Sequence, residues 1–291
     1  MKMFLTYVLH YKPKAESVHL HAGGVFASGL EEVRRSFFER GCSSEESIAN
    51  GVGTVLKLYG YFEPPYGSAK SWERVAGALV YYFDEFPLAG GTMPPYRFPN
   101  GDFGIEYSFA EPLPIRHPQT GVPILYTGRS DQIVSWAGGV YIEDDKTTSQ
   151  LGTTWAQQYE HRSQFTGYCW AAQRAGIDAV GVVVRGIAIR KTGYDSQEIV
   201  TYRAPWEIDR WFEQTCRDIQ RMIKCWEENH WDYNLDHACT EFGGCTFAGQ
   251  VCKSPEPQGW LDTHYTQKVW DPASHAEITP AEWLDRWRGK S

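Results

Sequence analysis

The sequence predicts an α/β protein, a central sheet flanked by helices, and three observations carry that prediction. Residues 128–134 and 140–148 hold two short apolar runs that meet acidic residues, and Gly138 and Gly139 between them are a hairpin signal. Residues 155–175 carry a helical pattern, followed by 179–190, which is dense in β-branched residues as a buried strand would be. Residues 206–226 form a long amphipathic pattern with Trp211, Phe212, Ile219 and Ile223 on its apolar side.

The other elements follow along the chain. Residues 19–24 lead into a helix that runs through about Arg40, with Val25, Phe26, Leu30, Val33, Phe37 and Phe38 as its buried face. Ser43 or Ser44 then caps a helix start with Glu45 and Glu46 in its first turn, and helices run over 49–59 and 71–86. The Pro- and Gly-rich residues 87–101 are a loop, with no linker long enough to separate independent domains. Residues 103–109 alternate as a strand with Ile105, Tyr107 and Phe109 on one face and Glu106 on the other. After a turn at 118–121 the next strand covers 122–134, and an edge strand falls near 198–203. Thr279 as cap, with Pro280 in the first helical position, starts a short helix over 279–288.

Composition sets bounds on function. A chain of 291 residues, 42% hydrophobic and 22% charged, can bury a large core. Its net charge of −8 argues against a protein that coats polyanions, but not against basic residues lining one groove. No apolar run approaches the roughly 20 residues that span a bilayer. The first residues are poor signal-peptide material, so the expected compartment is cytoplasmic.

The hairpin concentrates the chemistry. Along its second strand Asp144 and Lys146 point the same way, Glu143 and Asp145 point away, and Asp131 on the first strand comes near the pair. Two carboxylates and an ammonium converging at a strand end are costly without a cation to neutralise the acids. In the following helix, a spacing of four puts Gln164 and Tyr168 on one face.

Asp131 followed by Asp144, Asp145 and Lys146 resembles the PD-(D/E)XK nuclease superfamily, with Ser130 where the family's proline would stand. Gln164-x-x-x-Tyr168 resembles the motif of its RecB-like exonuclease branch, to which the CRISPR-adaptation exonucleases are related. All three motifs occur in order within about forty residues. The resemblance implies a restriction-endonuclease-like core, a mixed central β-sheet flanked by helices, with a C-terminal cysteine-rich lobe. Drawn on the sequence, residues 1–233 are the nuclease core with its N-terminal helical part, 234–253 a cysteine-rich metal-binding loop, and 254–291 a tail with a short helix.

The resemblance also implies roles. Asp131, Asp144 and the Asp145 backbone carbonyl would hold Mg²⁺ or Mn²⁺; Lys146 would orient the attacking water or stabilise charge on the phosphate. Gln164 would position the lysine or the substrate, and Tyr168 would contact the phosphate backbone. Glu106 matches a glutamate that approaches the metal in relatives, and a solvent-facing Glu106 is the open alternative. Aligning Gly24 with the glycine of the family's first helix puts Ser28 at the position of a histidine that often binds metal, and Glu32 at a glutamate.

Seven cysteines, an odd count, include the cluster Cys239, Cys245 and Cys252, accompanied by Gly243, Gly244 and Gly249. In a cytosolic protein such a cluster points to metal before disulfides. It resembles the C-terminal trio that many RecB-like nucleases join to an N-terminal cysteine around a 4Fe-4S cluster. Here no cysteine precedes Cys42, although residues 7–13 resemble the stretch after the family's first cysteine. Three readings stay open: a displaced start, a fourth ligand from Cys42 or His237 with Zn²⁺ competing against iron, or a lost site.

Together these features predict a metal-dependent DNA nuclease, an exonuclease in DNA end processing or recombination, encoded by a phage or mobile element. No phosphate-binding loop of the helicase type occurs, so unwinding would fall to a partner helicase or recombination protein. The competing readings are a catalytically inactive family member that binds DNA or a protein, a restriction-type endonuclease, and an α/β protein with a structural zinc loop.

Overall fold

The computed structural model describes residues 2, 4–232, 237–240, 244–271 and 276–282. A π-helical turn (Phe4–Val8) and strand β1 (Tyr11–Pro13) lead to helix α1 (Val18–Arg34), which widens into a second π-helical turn at Arg35–Glu39. Helix α2 (Ser44–Tyr59) begins where Ser43 Oγ accepts the Glu46 N–H at 3.1 Å, so Ser43 is the cap. Helix α3 (Trp72–Glu85) completes this layer. Gly29 and Gly51 let α1 and α2 approach closely, since a Cβ on Gly51 would stand 2.8 Å from the Gly29 carbonyl oxygen.

Strands β2 (Ile105–Arg116), β3 (Pro123–Trp136) and β4 (Gly139–Thr148) form an antiparallel meander. The β3–β4 turn places Ala137 and Gly138 at φ of 48° and 79°, the two positive values that the favoured two-residue hairpin turn requires. Helices α4 (Thr153–Gln157) and α5 (Ser163–Arg174) carry the chain across to β5 (Ala179–Ile189), which lies parallel to β4. Strand β6 (Tyr194–Tyr202) then closes the far edge antiparallel to β5, giving the order β2-β3-β4-β5-β6. One crossover among hairpins is what makes the sheet mixed.

The single helix expected over 155–175 is two helices. Arg162 takes an extended backbone (ψ 119°) before α5, and the Tyr159 carbonyl in the break accepts from Arg203 Nη2 at 3.1 Å. A side chain from beyond β6 thus replaces a helical hydrogen bond, which local periodicity does not encode.

Phe26, Leu30 and Val33 of α1, Val55 of α2, and Leu79 and Tyr82 of α3 pack with Ile187 and Ile189 of β5. Each fully buried apolar side chain of this size contributes about 1.5–3 kcal/mol. Phe165, Cys169, Ala171 and Ala172 of α5 are also fully buried, and α5 packs on β2 to β5. Layers on both faces explain why β5 is apolar on both sides, Arg185 apart.

Helix α6 (Pro205–Glu227) fits its amphipathic pattern only in part. Ile208 is its one buried residue; Phe212 stacks on Trp170 at 5.1 Å, while Trp211, Ile219 and Ile223 stay half-buried.

The chain divides into two units, Ser17–Asp218 and a terminal unit of Met1–Glu16 with Ile219–Ser291. In the terminal unit, α7 (His237–Thr240) and α8 (Gln258–His264) precede three strands of three residues each. β7 (Tyr265–Gln267) pairs antiparallel with β1, and β8 (Val269–Asp271) with β9 (Ala276–Ile278). Leu5, Phe247, Val251, Leu261 and Tyr265 make its core. Strands this short show no alternation, so residues 254–278 read from sequence as a tail. Of the helix expected at 279–288, residues 280–282 are helical, with Thr279 and Glu282 in a reciprocal cap (2.7 and 3.2 Å), and 283–288 lie outside the described residues. No described helix is long and apolar enough to cross a membrane.

Candidate active site

The β3–β4 register runs from Trp136 opposite Gly139 to Gln132 opposite Glu143. One further step sets Asp131 across from Asp144. The Asp145 backbone N–H donates to Asp131 Oδ2 at 2.7 Å, which fixes that carboxylate against β4. Asp144, 2% exposed, forms an ion pair with Lys146 two residues on, so both side chains share one face. Glu143 and Asp145 point to the opposite face, as strand alternation requires.

Burial and crowding of like charges set the electrostatics. The Asp144 carboxyl is pushed up to about 7, first by burial and then by Asp131, against the pull of Lys146. Asp131 is also raised, by burial and by Asp145, with Lys146 and the Asp145 N–H opposing. Burial disfavours the Lys146 ammonium, yet Asp144 and Asp131 outweigh it and raise the group well above its ordinary value. In the absence of a metal, these carboxylates thus favour the charged form of Lys146.

Glu106 is a half-buried residue whose side chain is turned in from solvent, 6% exposed. Its residue falls between the pairs Ile105–Gln132 and Tyr107–Ser130, opposite Asp131, and adopts φ 53°, which a non-glycine residue rarely holds. Burial and the neighbouring Asp131 push its carboxyl up to about 8, although Arg129 Nε lies 2.7 Å away. Strained backbone, burial and a like-charged neighbour at one residue are features of a functional position.

Gln164 Nε2 donates to Tyr168 Oη at 2.8 Å on α5. The Tyr168 hydroxyl is held up to about 12, chiefly by burial, and it lies in the field of Asp144, Lys146 and Asp131. Gly128 on β3 makes room for this ring: a Cβ there would meet Tyr168 Cε1 at 3.1 Å. The hairpin residues and the α5 pair are thus brought together.

On the other side of β4, Arg34 and Arg185 build a buried network that the sequence reading missed. Arg34 reaches Glu143 at 2.5 Å and Asp145 Oδ2 at 2.8 Å, and its Nη2 donates to Tyr82 Oη at 2.9 Å. Arg185 bridges Glu143 (3.0 Å) and Glu198 (2.8 Å), and Tyr82 Oη donates to Asp145 Oδ1 at 2.7 Å. An arginine inside the apolar run of β5 was the available signal, because a buried guanidinium must be paired.

Ser28 of α1 is half-buried, and Glu32 is held by Arg40 (2.5 Å) and by Ser36 Oγ (3.2 Å). Glu31, not Glu32, is the α1 carboxylate whose field reaches Glu106.

No three His, Cys, Asp or Glu side chains among the described residues already stand as a metal-holding group. The donor chemistry nonetheless suits a hard divalent cation. Asp144 Oδ2 and Glu106 Oε2 are buried carboxylate oxygens, paired in this structure with the cationic tips of Lys146 and Arg129, as hard ligands exchangeable for a metal would be. The carboxyls of Asp131, Asp144 and Glu106 are all raised, which a cation among them would reverse.

The cysteine trio lies in the terminal unit. The Cys245 N–H donates to the Cys239 carbonyl at 2.9 Å, and burial, then Cys245 and Cys239, raise the Cys252 thiol. Cys42 sits in the Ser17–Asp218 unit at the entry to α2, and the His237 side chain and Gly243 lie outside the described residues.

A family model described as the PD-(D/E)XK nuclease superfamily matches residues 2–253. Among solved structures, a candidate exonuclease from Eubacterium rectale is similar at 13% identity and a TM-score of 0.42, covering 87% of this chain and 82% of that one. SSO0001 is similar at 16% identity and a TM-score of 0.28, covering 67% and 73%. No curated protein matches.

Proposed function

This chain belongs to the PD-(D/E)XK nuclease superfamily, and on that premise we propose that it is a metal-dependent deoxyribonuclease of the RecB-like kind, acting as an exonuclease on DNA ends. The observation that carries the reading is Asp131, held to β4 by the Asp145 N–H and lying within the field of Asp144, with Lys146 paired to Asp144. The family generally uses divalent metals, and a bound Mg²⁺ or Mn²⁺ would neutralise the phosphodiester and acidify the attacking water.

Each residue then has a defined task. Asp131, Asp144 and the Asp145 carbonyl would supply hard oxygens for the cation, with Glu106 as a further carboxylate. Lys146, kept protonated by its neighbours, stabilises negative charge developing on the phosphate. Tyr168 donates to the substrate backbone and Gln164 holds the tyrosine oxygen in place. The Gln164–Tyr168 motif resembles end-processing relatives and favours exonuclease over restriction-type cleavage. We assign Cys239, Cys245 and Cys252 to a second metal site, 4Fe-4S or Zn²⁺, completed by a further ligand. Strand separation would come from a helicase or recombination partner.

The test is cleavage of end-labelled linear and closed circular DNA, single- and double-stranded, with Mg²⁺, Mn²⁺ or EDTA. Metal-dependent loss of linear DNA with circles spared is expected. Cut circles would establish an endonuclease instead, and no cleavage by folded, metal-loaded protein would favour a binding role.

A further inference from the structure

Arg129 borders the candidate site, and the cleavage reading gives it no task. It stands on β3 two residues before Asp131, where the ladder pairs it with Ser108 of β2. Its Nε lies 2.7 Å from Glu106 Oε2, and among the described residues Glu106 is its one ion-pair partner. The two side chains differ in burial: Glu106 is 6% exposed, Arg129 46%. One nitrogen of the guanidinium rests on a buried carboxylate while much of the group reaches solvent.

The surroundings leave room for a ligand. A cavity of about 1020 Å³ opens at Glu106 and is lined in part by Tyr107 and Ser108 of β2, and Ser108 is the cross-strand neighbour of Arg129. The hold of Arg129 on Glu106 is also exchangeable. A single ion pair with one partner half in solvent is weak, whereas a divalent cation shared by Glu106, Asp131 and Asp144 would meet three hard carboxylate donors at once. The guanidinium therefore occupies Glu106 only until such a cation arrives. Its backbone stays fixed in the β2–β3 ladder, so release needs rotation of the side chain alone.

We propose that Arg129 grips a phosphate of the DNA strand, freed for that contact when the metal takes Glu106. The planar fork of arginine matches two phosphate oxygens and stays charged at every working pH. The inference deepens the nuclease reading and rests on it for the metal and for DNA as the ligand. The competing role is structural: Arg129 would steady the Glu106 carboxylate, and the backbone behind it at φ 53°, for the metal. The two roles predict opposite effects on metal affinity when the guanidinium is removed.

The test uses the full-length chain in a Lys146→Ala background, which the nuclease reading slows by orders of magnitude, so that DNA stays intact. Fluorescence anisotropy of a labelled blunt duplex with Mn²⁺ is read over a salt series, and Mn²⁺ binding without DNA by calorimetry. Arg129→Gln should weaken duplex binding by about ten- to a hundredfold and lower the slope of log affinity against log salt by about 1. Arg129→Lys should keep the slope and recover part of the affinity, since a point charge lacks the fork; this separates charge from folding. Without DNA, Arg129→Gln should bind Mn²⁺ at least as tightly as its parent, because it removes a competitor for Glu106. Arg217→Gln on α6, an exposed position, should change neither. An unchanged slope, no recovery with lysine, a loss matched by Arg217→Gln, or a parent that binds no Mn²⁺ would each overturn the proposal. So would weaker Mn²⁺ binding in Arg129→Gln, which would make Arg129 a support for the metal carboxylate. A wild type that never cleaves beside these losses keeps the Arg129 contact and removes the nuclease reading; one that cleaves while Arg129→Gln binds DNA unchanged does the reverse.

Discussion

Asp144 and Glu106 give the site its pH dependence. Their carboxyls are raised to about 7 and about 8, against about 4 in an unfolded chain. The folded state therefore binds these protons more tightly. The resulting stability is fully present below about pH 4 and is lost as pH rises through about 7 to 8. A divalent cation requires the ionised forms. The thermal stabilisation given by Mn²⁺ should accordingly grow from about pH 6 to about pH 8; a metal-induced shift in Tm that is flat or falls over that range would contradict the electrostatic account. At the same scale, Glu106→Gln should keep the fold and weaken Mn²⁺ binding in a calorimetric titration. An unchanged affinity would remove Glu106 from the metal site.

The β3–β4 hairpin and β5 share the task of holding the face that carries Asp131, Asp144 and Lys146. Asp145 joins the two sides, its N–H on Asp131 and its carboxylate on Arg34 and Tyr82. Arg34→Ala would leave Glu143 and Asp145 buried without their shared guanidinium, a loss of about 3–5 kcal/mol by the usual cost of breaking a buried pair. Urea unfolding measures this, and a loss below about 1 kcal/mol would show that the network is not structural. The hairpin itself was legible in the sequence because Asp131, Asp144 and Lys146 are local in register and alternation fixes their faces. Arg34 was not legible: it lies 109 residues from Glu143, and nothing local marks one arginine of a helix as buried. The break before α5 was hidden for the same reason, since one of its hydrogen bonds comes from the distant Arg203.

Across the whole chain, periodicity marked the long strands and helices in order, while the mixed character of the sheet came from the resemblance to the nuclease family. Neither carried the division of the chain. The first sixteen residues group with the segment from Ile219 onward, through a three-residue pairing of β1 with β7. The cysteine trio belongs to that same unit, so Cys252→Ser should reduce bound iron or zinc by elemental analysis. Unchanged metal content would show that the thiols hold none. A broad absorbance near 400 nm, lost in the same variant, would identify an iron–sulfur cluster; zinc would leave the protein colourless.

On the proposed reading, Asp131, Asp144 and Lys146 cleave DNA with a bound cation. The rate of Mn²⁺-dependent degradation of end-labelled linear DNA by the wild type, Asp144→Ala and Lys146→Ala, each first shown to be folded, tests this. Losses on the order of 10²–10³-fold or more are expected for either substitution. Wild-type rates in both variants would place the chemistry elsewhere in the molecule.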